Sequence, residues 1–196
     1  MEIAIINISA GNIKSIENFF KRNFDCKVNI YKYPSNELDN SDILIIPGVG
    51  NFGHASDYLK NSKLELSIKK FAKENKPLIG VCLGAQILTN SSQEAPGFRG
   101  LGLINADCLS LKEHPTYKGN IPRIGWSRLE NDMSSSFYFV HSYYIELKDE
   151  NVSVEYCDDG VTALLKTKNI LATQFHPEKS DNSGENLIRR FIEENV

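Results

Sequence analysis

Apolar positions in the first half of the chain fall into short runs separated by helical stripes. Ile3 to Ile8, Val28 to Tyr31, Asp42 to Ile46 and Pro77 to Val81 are mostly apolar runs of strand length. Between the first two, Ile13, Ile16, Phe20 and Phe24 recur every three or four residues and line one face of a helix. A second helical stretch follows the loop Pro47-Gly48-Val49-Gly50-Asn51-Phe52-Gly53 and continues to about Asn75. Strands that are apolar throughout, rather than alternating, are those covered on both faces. The pattern predicts an α/β fold, an open, mostly parallel, twisted sheet flanked by helices.

The second half changes rhythm. Residues 103–111, 121–127, 137–145, 152–157, 161–166 and 170–175 read as short strands between turns, an additional antiparallel region. Asp158-Asp159-Gly160 marks a hairpin turn between two of them. A last helix is expected from about Ser183 as its N-cap, with Leu187, Ile188, Phe191 and Ile192 on its apolar side. Ser91 to Gly102 is the longest irregular stretch and reads as a mobile loop. With no repeat and no linker composition, residues 1–196 read as a single domain.

Composition narrows the function classes. Hydrophobic content of 41% and charged content of 24% are globular values. A net charge of −3 gives no electrostatic reason to expect nucleic acid or an acidic membrane as partner. The four cysteines (Cys26, Cys82, Cys108, Cys157) form no Cys-x-x-Cys pair and lie near no histidine pattern, so no metal site is expected. Neither a signal peptide nor a long apolar span is legible, and a reduced, cytoplasmic protein is the simplest expectation.

The chemistry concentrates in Gly80-Val81-Cys82-Leu83-Gly84. An apolar run feeding Gly-x-Cys-x-Gly is the cysteine form of a strand–nucleophile–helix elbow. Gly80 and Gly84 would let strand and helix pack closely, and Cys82 would stand at a helix start, where the dipole favours an anion. A buried structural cysteine beside two turn glycines is the alternative. A thiol nucleophile needs a base, and the base an orienting group. Among four histidines only His176 has a carboxylate suitably spaced. The residue before a proline is pushed towards extended backbone, and residues two apart then point to the same side, so His176 and Glu178 can face together. His141, with Ser142 beside it and no near acid, reads better as a strand or pocket residue. Acyl attack also needs oxyanion donors. The Leu83 amide is one candidate, and the Val49 and Gly50 loop is the source of a second unless it is a plain strand-to-helix turn.

These segments together resemble class I glutamine amidotransferases, and within that class the glutaminase subunits of imidazole glycerol phosphate synthases. The resemblance rests on residues 80–86, on Pro47-Gly48-Val49-Gly50 and on Gln174-Phe175-His176-Pro177-Glu178-Lys179-Ser180. Supporting segments are Ala10-Gly11-Asn12, Gly125-Trp126-Ser127 and the run from Phe137 to Tyr143. It implies an amidotransferase, flavodoxin-like sheet that hydrolyses L-glutamine through Cys82, His176 and Glu178 without a cofactor. It further implies that Gln86, Ser142 and Tyr143 hold the substrate. Ammonia in water is mostly protonated and non-nucleophilic, and a glutaminase domain fills the whole length. A docked ammonia-using partner is therefore expected. The family's partner is a (β/α)₈-barrel cyclase in a heterodimer, and Asn12, Trp126 and Lys179 match positions near the shared interface.

Several partner-side motifs depart from the family. The opening Ile6-Asn7-Ile8-Ser9-Ala10-Gly11-Asn12 replaces Ile-Asp-Tyr-Gly-x-Gly-Asn, and Pro122-Arg123-Ile124-Gly125-Trp126-Ser127 replaces Pro-His-Met-Gly-Trp-Asn. Ala85 stands where methionine is common in the elbow. The catalytic motifs are intact, so these changes bear on which synthase is served. Alternatives are a paralogous glutaminase supplying ammonia for amidation of a surface sugar, a catalytically silent regulatory scaffold, and a cysteine peptidase on a related fold.

Overall fold

The computed structural model describes residues 1–8, 12–149 and 151–196. Ser9, Ala10 and Gly11 of the altered opening run lie outside them.

The first half builds β1 (Glu2–Ile6), α1 (Ile13–Asn23), β2 (Lys27–Tyr31), α2 (Asn36–Asp39), β3 (Ile43–Ile46), α3 (Phe52–Asn61), α4 (Leu64–Lys73), β4 (Leu78–Val81) and α5 (Leu83–Ile87). The second half contributes β5 (Ser91–Ser92), β6 (Ala106–Ser110), β7 (Arg123–Leu129), β8 (Asp132–His141), β9 (Tyr143–Leu147), β10 (Ser153–Tyr156), β11 (Thr162–Lys166), β12 (Ile170–Thr173) and α6 (Asp181–Asn195). A seven-stranded sheet runs in the order β10-β11-β12-β4-β3-β1-β2. Its pairs from β12 to β2 are parallel, and β10, β11 and β12 pair antiparallel. A three-stranded sheet β5-β6-β9 and a two-stranded ribbon β7-β8 complete the antiparallel part.

Alternation of side chains along the buried strands divides the core in two. Ala4, Ile6, Leu44, Ile46 and Leu78 face one way and pack with α2, α3, α4 and α5. Ile3, Ile5, Ile43, Ile45, Ile79 and Val81 face the other way and pack with α1, α6 and β8. All of these side chains are buried, as both-face coverage of a parallel sheet requires.

The structure adjusts several boundaries. The stretch expected as one helix to about Asn75 is two, α3 and α4, broken where Lys63 takes a left-handed φ of 64°. The short α2 is additional; Ser35 caps it by accepting the Leu38 N–H at 3.1 Å. Residues 137–145 are not one strand, because β8 ends at His141 and β9 begins at Tyr143. The expected hairpin at 158–160 forms between β10 and β11, with the Gly160 N–H donating to the Cys157 carbonyl. α6 starts two residues before Ser183, whose Oγ accepts instead from the Ser136 N–H. Residues 91–102 carry β5 and are tied down: Glu94 Oε2 accepts the Phe52 N–H at 2.7 Å, and Ser56 Oγ donates to the Arg99 carbonyl at 2.6 Å.

Candidate active site

Three neighbouring parallel strands, β3, β4 and β12, end side by side, and ligands bind outside the carboxyl ends of such strands. The loop after β3 supplies Val49 and Gly50, the turn after β4 supplies Cys82, and the chain after β12 supplies Gln174, His176 and Glu178. Cys82 has φ 53° and ψ −108°, a region that side-chain-bearing residues rarely occupy. Holding it there costs about 1–3 kcal/mol, a strain that clusters at functional sites. Its N–H donates to the Thr173 carbonyl at 2.7 Å, which locks the elbow to β12. The flanking glycines are steric necessities. A Cβ on Gly80 would lie 2.8 Å from the Gly84 carbonyl oxygen, and one on Gly84 would lie 1.7 Å from that of Ile46.

A cavity of about 220 Å³ opens beside Cys82. Drug-sized ligands occupy roughly 300–1,000 Å³, so this volume suits a smaller molecule such as one amino acid. Val49, Gly50, Leu83, Gln86, Ser142 and Tyr143 all line it, which brings every expected substrate and oxyanion residue to one place. Gln86 is less free than expected, since its Nε2 already donates to the Tyr143 carbonyl at 3.0 Å and to Gln174 Oε1 at 3.1 Å. Glu94, Pro122, Val140 and His141 complete the lining. A wider depression of about 510 Å³ over α1 touches Glu178 but not Cys82, so it lies outside the nucleophile's reach.

Behind Cys82 lies His176, 1% exposed, whose Nδ1 donates to Glu178 Oε1 at 2.8 Å. Asn12, expected at a partner face, turns its Nδ2 onto the same carboxylate oxygen. Burial opposes a charge on His176, but hydrogen bonds to Cys82 and Glu178 and their negative charge outweigh it and raise the imidazole to about 9. His141 goes the other way. Burial first, and the Arg123 and His176 charges after it, lower it to about 3 despite its Nδ1–H bond to the Tyr143 carbonyl.

The two histidines predict a peaked pH–stability profile. Both ordinarily titrate at 6.5. His176 holds its proton more tightly when folded, so its contribution is complete below pH 6.5 and is lost as pH rises towards 9. His141 resists protonation when folded, so its contribution is complete above pH 6.5 and is lost as pH falls towards 3. The full slope is about 1.4 kcal/mol per pH unit, but both limbs start from the same ordinary value, so the maximum is rounded and stability falls by roughly 1 kcal/mol within about 1.5 units on either side. Denaturant titrations across pH should show His176→Gln flattening the alkaline limb and His141→Phe the acid limb. Limbs unmoved by these substitutions would disprove the assignment.

Residues 4–195 match the family model described as glutamine amidotransferase class-I. The chain belongs to that family. Subunit HisH of imidazole glycerol phosphate synthase from Methanothermobacter thermautotrophicus is 39% identical over 97% of this chain and 98% of its own length. Its counterpart in Prochlorococcus marinus is 38% identical over 98% and 94%, and that of Thermotoga maritima 34% identical over 98% and 97%. A crystal structure of a glutamine amidotransferase superposes with a TM-score of 0.77 at 23% identity, covering 98% of each chain. The likeness of fold extends to the structure of PurLQS from Thermotoga maritima, with a TM-score of 0.68 at 16% identity over 97% of this chain and 96% of that one.

The outer face of this amidotransferase domain collects the remaining expected residues around one that sequence reasoning missed. Trp126, 51% exposed, stands edge-on to Tyr138 at 5.7 Å between ring centroids, and Lys179 Nζ lies 5.9 Å over the same ring. Tyr138 also links this face to the catalytic segment, because its carbonyl accepts the His176 N–H and its own N–H donates to Ser180 Oγ. Arg123 and Ser127, read as partner-selecting changes, prove to be one internal network. Arg123 is 6% exposed, pairs with Asp159 at 3.0 Å, donates to Ser127 Oγ at 2.7 Å and lies over the Phe139 ring. On β7 the exposed residues are Ile124, Trp126 and Arg128, so Arg123 acts from inside. Among the described residues no three His, Cys, Asp or Glu side chains gather as a metal site, and no helix is long and apolar enough to cross a membrane.

Proposed function

We propose that the chain is the glutaminase subunit of an imidazole glycerol phosphate synthase and feeds ammonia to a barrel-shaped cyclase in histidine biosynthesis. The observation that carries the reading is the line from Cys82 through buried His176 to Glu178 at the edge of an amino-acid-sized cavity. Names borne by near-full-length relatives favour the histidine branch over sugar amidation. The intact line argues against a silent scaffold.

In this reading Cys82 Sγ attacks the side-chain carboxamide carbon of glutamine, and the carbonyl becomes an oxyanion. The Leu83 N–H and the Val49–Gly50 backbone are its proposed donors. His176, protonated at neutral pH, gives its proton to the amide nitrogen as the C–N bond breaks and ammonia leaves. Water then adds to the thioester with His176 as base, and glutamate departs as the thiol reforms. Glu178 keeps the imidazole oriented, and Asn12 steadies the carboxylate. Glu94 is a natural partner for the substrate's ammonium. One of its oxygens is held by the Phe52 N–H, and its carboxylate reaches the cavity wall.

The cyclase is proposed to dock over Trp126, Tyr138 and Lys179, which lead directly to the backbone of His176. Four free thiols suit a reducing compartment, and the cytoplasm is the proposed location. Glutamine hydrolysis by the isolated chain should be weak and should rise at least about 100-fold when the cyclase and its ligand are added. That gain is within reach of the 1–3 kcal/mol typical of site-to-site coupling. Full activity from the chain alone would overturn the coupled-subunit reading.

A further inference from the structure

Gln174 is 1% exposed, and no step of the glutaminase chemistry so far gives it a part. It lies two residues before His176 in the bend that follows β12, and both side chains reach Cys82. Hydrogen bonding fixes the orientation of its side-chain amide. The Tyr143 carbonyl can only accept, so Gln86 must present its NH₂ group there. The second hydrogen of that group goes to Gln174 at 3.1 Å, which makes the Gln174 atom facing Gln86 the oxygen. The other end, Nε2, then faces Cys82 Sγ at 3.8 Å as a donor.

We propose that Gln174 is a positioning residue for the nucleophile, holding Cys82 Sγ with a side-chain N–H and tying it through Gln86 to the substrate cavity wall. The proposal deepens the glutaminase reading and rests on it. Besides His176, Sγ has two polar neighbours of opposite character among the described residues. The Val140 carbonyl oxygen at 3.5 Å can only accept, which favours the thiol, whereas Gln174 Nε2 can only donate, which favours the thiolate. The N–H therefore supports the form that attacks. The backbone of Gln174 is fixed independently, with its N–H donating to the Ala163 carbonyl at 2.8 Å, so the donor is aimed before substrate arrives. The relay also explains why Gln86 is committed to other groups. It transmits the position of the Tyr143 wall to the sulfur.

The test is the rate of alkylation of Cys82 by iodoacetamide as a function of pH in the full chain, with peptide mapping to separate Cys82 from the other thiols. Cys108 and Cys157 are buried and pushed up to about 12, so they react slowly. Gln174→Glu keeps an acceptor for Gln86 but sets a carboxylate against the sulfur. Its alkylation profile should move up by about one pH unit, an approximately tenfold slower reaction on the rising limb. Gln174→Met keeps the length without the donor and should move the profile the same way by less; it carries the test if the Glu variant fails to fold. In the holoenzyme both should lower kcat for glutamine more than they raise KM. Profiles that coincide with the parent's, accompanied only by lower thermal stability, would reduce Gln174 to packing. A parent chain whose Cys82 resists alkylation up to about pH 10 would overturn the nucleophile assignment itself, a separate failure.

Discussion

Cys82→Ala should abolish glutamine-dependent synthesis by the complex while synthesis from added ammonium salt continues near the parent rate. The loss should be at least about 10⁴-fold, because removing the nucleophile of a unit that acts in concert costs nearly as much as removing all of it. No other thiol can substitute. Cys108 is sealed against Thr89 and the Gln86 carbonyl, Cys157 sits in the core beneath the ribbon, and Cys26 lies just before β2, at the amino end of the sheet away from the elbow, with its thiol on the Phe20 carbonyl. Alanine also relieves none of the elbow's geometry, since φ of 53° remains strained for any residue with a Cβ. The protein should therefore fold and bind its partner as before. Product formation from glutamine and from ammonium, measured side by side, separates the outcomes. If both rates collapsed together, this chain would be doing more than supplying ammonia.

Most of what supports that expectation is legible locally. The strands of the parallel sheet announce themselves because burial on both faces removes polar positions altogether. The elbow is legible because steric demands at Gly80 and Gly84 are met only by glycine. His176 and Glu178 do meet, but through a single helical turn at Pro177–Lys179 rather than along the extended chain expected. What escaped was assembled from a distance. Glu94 reaches the cavity by capping a helix 42 residues earlier, and Gln174 meets Cys82 across 92 residues. Neither spacing has a period, and only the fold brings them together.

Arg123 shows how a residue can be noticed and still misread. Its departure from the family pattern is visible in the sequence, and so is that of Ser127, but their contact is not. A guanidinium 6% exposed cannot select a partner by touching it. The two changes sit on the inner face of β7 and satisfy each other, with Asp159 as counter-charge. A similar lesson applies at the start of α6. Ser183 is the expected cap, whereas the helix follows Ser180, and neither side chain caps it. Ser180 Oγ instead donates to the His176 carbonyl at 2.6 Å and accepts from Tyr138, spending its hydroxyl on the catalytic segment.

Gly84→Ala is the substitution for which local and tertiary reasoning disagree most sharply, and its outcome is the second large effect expected. Gly84 is the second residue of α5, and alanine is about 1 kcal/mol better than glycine inside a helix. Propensity alone therefore predicts stabilisation. Packing predicts the reverse. The new Cβ would lie 1.7 Å from the Ile46 carbonyl oxygen and 2.6 Å from its carbon. Those are backbone atoms of a buried strand, so no rotamer change can make room. Ordinary overpacking costs about 1–3 kcal/mol when side chains can yield, and here they cannot. A loss of about 4 kcal/mol or more is expected, enough to threaten a domain of ordinary stability. Any relief must slide α5 away from β3, carrying the Leu83 amide and Cys82 with it. A folded variant should therefore also lose glutamine-dependent activity. Gly97→Ala is a demanding control, because its φ of 92° strains an alanine while nothing lies within 4 Å of the added carbon. It isolates the cost of a dihedral from the cost of a clash. Urea midpoints should fall far more for Gly84→Ala than for Gly97→Ala. Equal shifts would mean that α5 and β3 part more easily than their contacts indicate, and that close approach is not what demands glycine in the elbow.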